Sequence, residues 1–456
     1  MSEPAVFALP PKDGYDYKDD YDDDGATSIT LRPEDAIDER LERLQLKASP
    51  AHAPAPAHAP VPSPTHIPLS APPTSPPPLP KTSPSFSITA VTREQDHIHN
   101  FTIDTYGYVQ EAHWQPAFSD GFHGWFQRGD VKFPPNGHVT AVSPAPGHIH
   151  LFATDVSGRI VGCRAAPARN LEGETWTAWE QIADGVAPPG AYVAAVVWKE
   201  AGRSQIEVFV CREDGQVWSN AFGRGRNAMT VEERWLGPWV CMRSENFRGV
   251  PGCPISAVAR LDGHLDVFLA DVEGRVMTTA RGVDTNGWLN WWYFGINATP
   301  GAPVTAIVEH ANCLDIFVVD ANGIACNAWW DGAHPKPGWN WWNGPNEIVP
   351  STKFVPGSWL VVVTRSDRQI DLFAVDKDGR FVNAARHQRA NWWGWAHVNG
   401  EYGHPGAPMA ACVRRLDHLD IAGVRRSDEK VVAAAWNPCN VNWFAGWWQL
   451  RDLKVY

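Results

Sequence analysis

Seven near-copies of one pattern constrain this chain more than any single motif does. The clearest copy is "HLDVFLADVEGRVMTTARGVDTNGWLNWWYFGI", His264–Ile296. It holds an apolar run with one acid, a tight turn, a second apolar run, a polar loop and a Trp cluster. The opening run returns as HIHNF (His97–Phe101), HIHLF (His148–Phe152), QIEVF (Gln205–Phe209), CLDIF (Cys313–Phe317), QIDLF (Gln369–Phe373) and HLDIA (His418–Ala422). The positions Phe101, Phe152, Phe209, Phe268, Phe317, Phe373 and Ala422 lie 51, 57, 59, 49, 56 and 49 residues apart. A period near 50 with several short strands per unit marks a propeller or a similar array.

Each repeat reads as four strands. The first is small and apolar, as in Ser87–Val91, Pro254–Val258 and Pro303–Ile307, which suits a crowded inner rim. The second is the HLDVF run. The third follows a turn such as DVEG or DKDG, where Gly supplies a positive φ. The fourth carries the Trp cluster. The expected fold is all-β, a seven-bladed propeller over residues 86–456. Radial packing leaves such a ring only short sheet edges. No blade mixes strands from the two ends of the chain, so closure is expected from face packing, with Leu453–Tyr456 as a candidate extra pairing.

Residues 1–85 read differently. Residues 1–90 hold 13 acids against 7 bases, much of the chain's net charge of −12. Asp13–Asp24 is an acidic run that self-repulsion keeps solvated. Arg32–Lys47 has an Ile37, Leu41, Leu44 stripe at helical spacing, and Ser49–Pro84 is a Pro/Ala-rich spacer. The expectation is a disordered acidic and Pro-rich tail with a short helix over 32–47. Net acidity argues against nucleic-acid binding, and no apolar run is long enough to span a membrane. The N-terminus lacks the pattern of a secretory signal, and the eight Cys include no CxxC pair. Those features suggest a cytoplasmic protein, or one exported without a classical signal peptide.

All 24 Trp lie between Trp114 and Trp448. An aromatic-x-x-Trp motif opens the outer strand: Phe122/Trp125, Trp176/Trp179, Trp288/Trp291, Trp339/Trp342, Trp392/Trp395 and Phe444/Trp447, with Trp235/Trp239 one residue longer. One Trp per blade is expected to wedge neighbouring sheets apart. The surplus indoles suit the C–H face of a sugar rimmed by hydrogen-bonding groups. The third strand ends at a position alternating between Trp and Arg: Trp114, Arg281, Trp329 and Trp330, Arg386, Trp436. The recurrent second-strand acid (Glu207, Asp266, Asp315, Asp371, Asp420) becomes His99 and His150 in the first two repeats. It reads as a carboxylate bonded to the next blade's backbone. His97 with His99, and His148 with His150, share a strand face but lack a third ligand at recognisable spacing, so no metal is expected. No cofactor motif and no catalytic constellation stands out. The largest departures from the repeat, Arg224–Arg234 and Arg243–Gly252, contain no paired-carboxylate pattern.

The frame hydrophobic-D-hydrophobic-F, D-x-x-G-x-V, then W and GW-x-x-W resembles the bacterial seven-bladed propeller lectins of the Photorhabdus lectin type. It is less similar to fungal Psathyrella-type propeller lectins. The resemblance covers about residues 86–450. It implies a non-enzymatic, multivalent lectin with sugar sites between blades. The implied partners are fucosylated, methylated or N-acetylated saccharides, with homo-oligomer formation left open. On this reading the sugar-binding candidates are Trp114, Trp125, Arg281, Trp288, Trp291, Trp330, Trp339, Arg386, Trp392, Trp436 and Trp443. Arg212 and Arg425 replace the turn Asp, and blade two lacks the third-strand Trp, so several of the seven sites are expected to be dead. The alternative is a protein-interaction scaffold that uses the propeller face and the tail.

Overall fold

The chain was analysed as a computed structural model. It describes residues 87–454 except 119–120, 136, 167–174, 201, 224–232, 243, 284, 286, 333–341, 367 and 439–446. The tail with its expected helix, Trp339, Trp443 and most of Arg224–Arg234 lie outside the described residues.

Alternating apolar residues, punctuated by turns, fold into seven antiparallel sheets whose strands pair in chain order. Blades 1 to 7 span residues 88–127, 140–186, 194–241, 256–297, 305–347, 361–402 and 410–454. In blades 2 and 3 the outer strand is split in two. The first strands converge on the axis, and each packs against the first strand of both neighbouring blades. Among the described residues all regular structure is strand.

The second-to-third-strand turn shows why its residues recur. In blade 4 the buried carboxylate of Asp271 accepts from the Glu273 and Arg275 backbone amides at 2.9 and 2.8 Å. Gly274 there has φ +77°. An added Cβ would meet the Ala298 carbonyl oxygen at 2.2 Å, so only glycine fits. The Asp376 turn is built the same way. That geometry accounts for its partial likeness to a calcium loop.

Between blades the core repeats as well. Phe101, Phe152, Phe209, Phe268, Phe317 and Phe373 are all buried, and most receive the edge of an indole from the following blade. The second Trp of the aromatic-x-x-Trp motif is the staple. Its indole N–H donates to a backbone carbonyl of the preceding blade: Trp179 to Arg128, Trp239 to Ile182, Trp291 to Met242, Trp395 to Ile348 and Trp447 to Val398.

Ring closure uses the same device. Trp125 donates to the Leu450 carbonyl at 2.6 Å, joining blade 1 to blade 7. The Asp96 amide donates to the Arg414 carbonyl at 2.9 Å, just as Asn312 does to Arg260 and Asp417 to Arg365 elsewhere in the ring. Closure is therefore face packing, as expected. The candidate extra pairing is not needed, because Lys454 pairs with Lys430 inside blade 7.

Candidate binding clefts between the blades

Three positions meet at each junction between consecutive blades. One lies near the end of a blade's inner strand. The second is the recurrent acid of its second strand. The third is the last or nearly last residue of the next blade's third strand.

The junction of blades 3 and 4 shows the arrangement beside a cleft. Its inner strand (Ala194–Glu200) supplies Trp198, its second strand (Arg203–Cys211) supplies Glu207, and blade 4's third strand (Arg275–Arg281) ends on Arg281. The guanidinium grips Glu207 in a fork, with Nη2 2.6 Å from Oε2 and Nη1 3.3 Å from Oε1. Its carbon lies 4.9 Å from the Trp198 ring and 5.0 Å from that of Trp288. Burial pushes the Glu207 carboxyl up, and Arg281 holds it back only in part. A cleft of about 550 Å³ opens over this group, lined also by Gln205, Leu236 and Thr285.

At three other junctions the same chemistry appears with its sources exchanged. The inner strand now brings the Arg, and the next blade brings the Trp. Arg260 pairs with Asp266 (3.0 Å) and lies 4.5 Å from the Trp330 ring. Arg365 pairs with Asp371 (3.0 Å) and lies 4.0 Å from Trp436. Arg414 pairs with Asp420 (3.3 Å) and lies 5.0 Å from Trp114. Burial pushes Asp266 and Asp371 up to about 6 and Asp420 up to about 7, against the pull of each Arg.

The junction of blades 5 and 6 is filled from within. Glu309 stands where blade 3 has Trp198, and two guanidiniums answer the two acids. Arg386 lies 2.5 Å from Asp315 and 3.5 Å from Glu309. Arg389 lies 2.9 Å from Glu309 and covers the Trp329 ring at 4.0 Å. Arg386 is only 4% exposed, so this guanidinium faces protein rather than solvent. Trp392 lies 5.1 Å from it. At the junction of blades 2 and 3 the three positions hold Pro144, His150 and Phe222, and the Arg–acid pair is lost.

No family model and no curated protein matches the sequence. Solved structures do match in shape. The BP39L lectin from Burkholderia pseudomallei superposes with a TM-score of 0.67 at 23% identity, over 79% of this chain and 97% of that one. The chain has that lectin's propeller fold. AofleA from Arthrobotrys oligospora gives 0.49 at 12% identity, over 69% of this chain and 86% of that one. The Aleuria aurantia lectin bound to Fucα1-6GlcNAc gives 0.47 at 15%, over 68% and 94%. The Aleuria lectin is a six-bladed β-propeller.

On this propeller the sequence candidates separate into groups. Arg281 lines the cleft between blades 3 and 4, with Trp288 5.0 Å from its guanidinium, and Trp114, Trp330 and Trp436 stand at the three exchanged junctions. Trp125 and Trp291 are interblade staples. Trp291 is 6% exposed, with its one polar atom engaged, which leaves it no free face. The reading of the recurrent acid needs correction: it meets a guanidinium, not the next blade's backbone. Trp198, Arg260, Arg365, Arg389 and Arg414 were missed. A signal was present, since Arg260/Asp266, Arg365/Asp371 and Arg414/Asp420 are each six residues apart. A shared offset of six places both side chains on one face of a hairpin whose turn is equally long in the three blades.

Proposed function

We propose that the propeller is a non-enzymatic carbohydrate-binding protein with sites in the clefts between blades. The cleft lined by Trp198, Glu207 and Arg281, with Trp288 packed against that guanidinium, carries this reading. Arg281 is paired with Glu207, and Glu200 adds a further acid to the lining, so the cleft disfavours an anion. It brings the Trp198 indole together with guanidinium and amide N–H donors, the mixed apolar and polar lining that a polyol with one C–H face requires. Methyl-bearing sugars suit it best, because a 6-deoxy, O-methyl or N-acetyl methyl adds apolar surface for an indole to cover. Fucosylated, methylated and N-acetylated saccharides are therefore the candidate ligands. The junctions at Arg260, Arg365 and Arg414 supply further sites. Weak single-site binding on one rigid ring becomes avidity on a glycan-bearing surface.

The test is a glycan array with the full chain, paired with tryptophan-fluorescence titration by methyl α-L-fucoside and by O-methylated and N-acetylated monosaccharides. A coherent set of array hits, weakened by Trp198→Leu and by Arg281→Ala, is expected. Array silence together with unchanged fluorescence for every sugar would sink the reading.

A further inference from the structure

Blade 1 departs from the other blades where it meets blade 2. Its acid position holds His99. The facing third-strand position of blade 2 is Ala165, where other blades bring a large side chain. Blade 1's own third strand (Val109–Trp114) supplies Glu111 and His113 to the same sheet face as His99, with His99 and His113 directly opposite in register. Donor atoms of these three residues all lie within 4.8 Å of one another. His99 Nδ1 is 2.5 Å from Glu111 Oε1, and His113 Nδ1 is 3.8 Å from the same oxygen. Glu111 is fully buried and His99 nearly so.

Two details point to a ligand. The Nδ1 atom of His113 is buried and makes no hydrogen bond, and an unmet polar atom in such a place calls for a partner. The second oxygen of Glu111, Oε2, is held by the Arg128 guanidinium. That leaves Oε1 as the oxygen turned to both imidazoles, the arrangement by which an outer-shell partner fixes a ligating carboxylate.

We propose that His99 Nδ1, Glu111 Oε1 and His113 Nδ1 form a site for one divalent transition-metal ion of the zinc class. Two imidazoles and one carboxylate with a fourth position left to water is a donor set that zinc accepts. An ion about 2.1 Å from each donor needs donors about 3.4 Å apart in a tetrahedron. The 2.5 Å pair opens and the 3.8 Å pair closes, each by under about 1 Å. His113, with 24% of its side chain exposed, marks the entrance. The other cluster of ligand-type residues among those described, Glu309, His310 and Cys313, is different. Arg389 occupies it, at 2.9 Å from Glu309 and in contact with the Cys313 sulfur.

The experiment uses the full chain, stripped with EDTA and desalted, then titrated with Co²⁺ by visible absorption and with Zn²⁺ by calorimetry. The wild type is expected to bind one more ion than His113→Ala and than His113→Phe, which keeps the ring stacked near Phe118 and Phe126. At that site the affinity should fall by more than the roughly 10–100-fold that loss of an outer-shell partner costs. Cys313→Ser should bind as the wild type does, and zinc should raise the melting midpoint of the wild type but not of the His113 variants. Equal stoichiometry and affinity in the wild type and both His113 variants overturns the site. Loss of the extra ion in Cys313→Ser with its retention in His113→Phe overturns it equally.

Discussion

Arg281→Ala tests the central ion pair through stability alone, with no ligand. The change leaves Glu207, whose side chain is 2% exposed, without its fork, while Glu200 still repels it and Ser219 still donates to it. A buried carboxylate so stranded does not stay charged at any cost, because it can take up a proton. Protonation at pH 7 of a group with an ordinary pKa near 4.3 costs about 4 kcal/mol, and that sets the ceiling on the loss from this source. At pH 5 the same ceiling is about 1 kcal/mol. The sign follows from linkage. In the variant the folded pKa lies above the unfolded one, so the folded state keeps a proton that the unfolded chain releases. Stability then falls as pH rises from about 4.3 to the folded pKa, and is flat beyond it. Urea unfolding of wild type and variant at half-unit steps from pH 5 to 8 should show a gap that widens by up to about 3 kcal/mol between pH 5 and 7. The double variant Arg281→Ala/Glu207→Gln should recover most of the loss and flatten the profile. A gap of constant size across that range would refute the argument, because it would mean Glu207 does not depend on Arg281 for its charge.

Two further outcomes follow from the same geometry. Asp420, pushed up to about 7 by burial, stabilises the fold when protonated, and this is lost as pH rises from the ordinary carboxylate range through about 7. Between pH 8 and 5 the wild type should therefore gain about 2–3 kcal/mol relative to Asp420→Asn in urea unfolding, and a parallel pair of curves would count against it. Trp291→Ala should cost about 3–5 kcal/mol as a core truncation, and Trp291→Phe about 1–3 for the orphaned Met242 carbonyl. Trp288→Ala should cost less stability in the same denaturation assay while weakening saccharide binding.

The fold was legible because its devices recur in the chain at the period of the ring. The turn Asp and Gly, the second-strand Phe and the aromatic-x-x-Trp motif each solve a structural problem that recurs around the ring, so the same answer stands in register in most blades, with Arg212, Arg425, Ala422 and Glu429 as departures. The site was legible only where it shared that register. Arg281, Trp330, Arg386 and Trp436 end third strands and so stood out as a column. Trp198, Arg260, Arg365 and Arg414 escaped because the inner strand was read as ending too early. The small apolar run Pro254–Val258 marks only the start of a strand that spans Ser256–Leu261 and carries Arg260. Splitting Trp125 and Trp291 from the binding candidates required knowing which indole N–H meets a carbonyl of the preceding blade. Spacing within one repeat does not hold that information.

On the proposed function, the exchange of Arg and Trp between strands would bear on how the ring meets a saccharide. Between blades 3 and 4 the guanidinium arrives from the following blade and one indole from the preceding inner strand. At the Arg260, Arg365 and Arg414 junctions the directions are reversed, while the acid keeps its place on the second strand. A saccharide that stacks on the indole and accepts from the guanidinium must then lie in opposite senses across the two kinds of junction. Its remaining hydroxyls, and any glycan chain attached to them, would leave the cleft on different sides. One ring would thus offer two presentations of similar chemistry, while at the junction of Arg386 and Arg389 a second guanidinium fills the place. Fold-bearing positions repeat because each blade faces the same mechanical problem. The junction positions diverge because closing or reversing one cleft leaves the staples, and so the ring, intact.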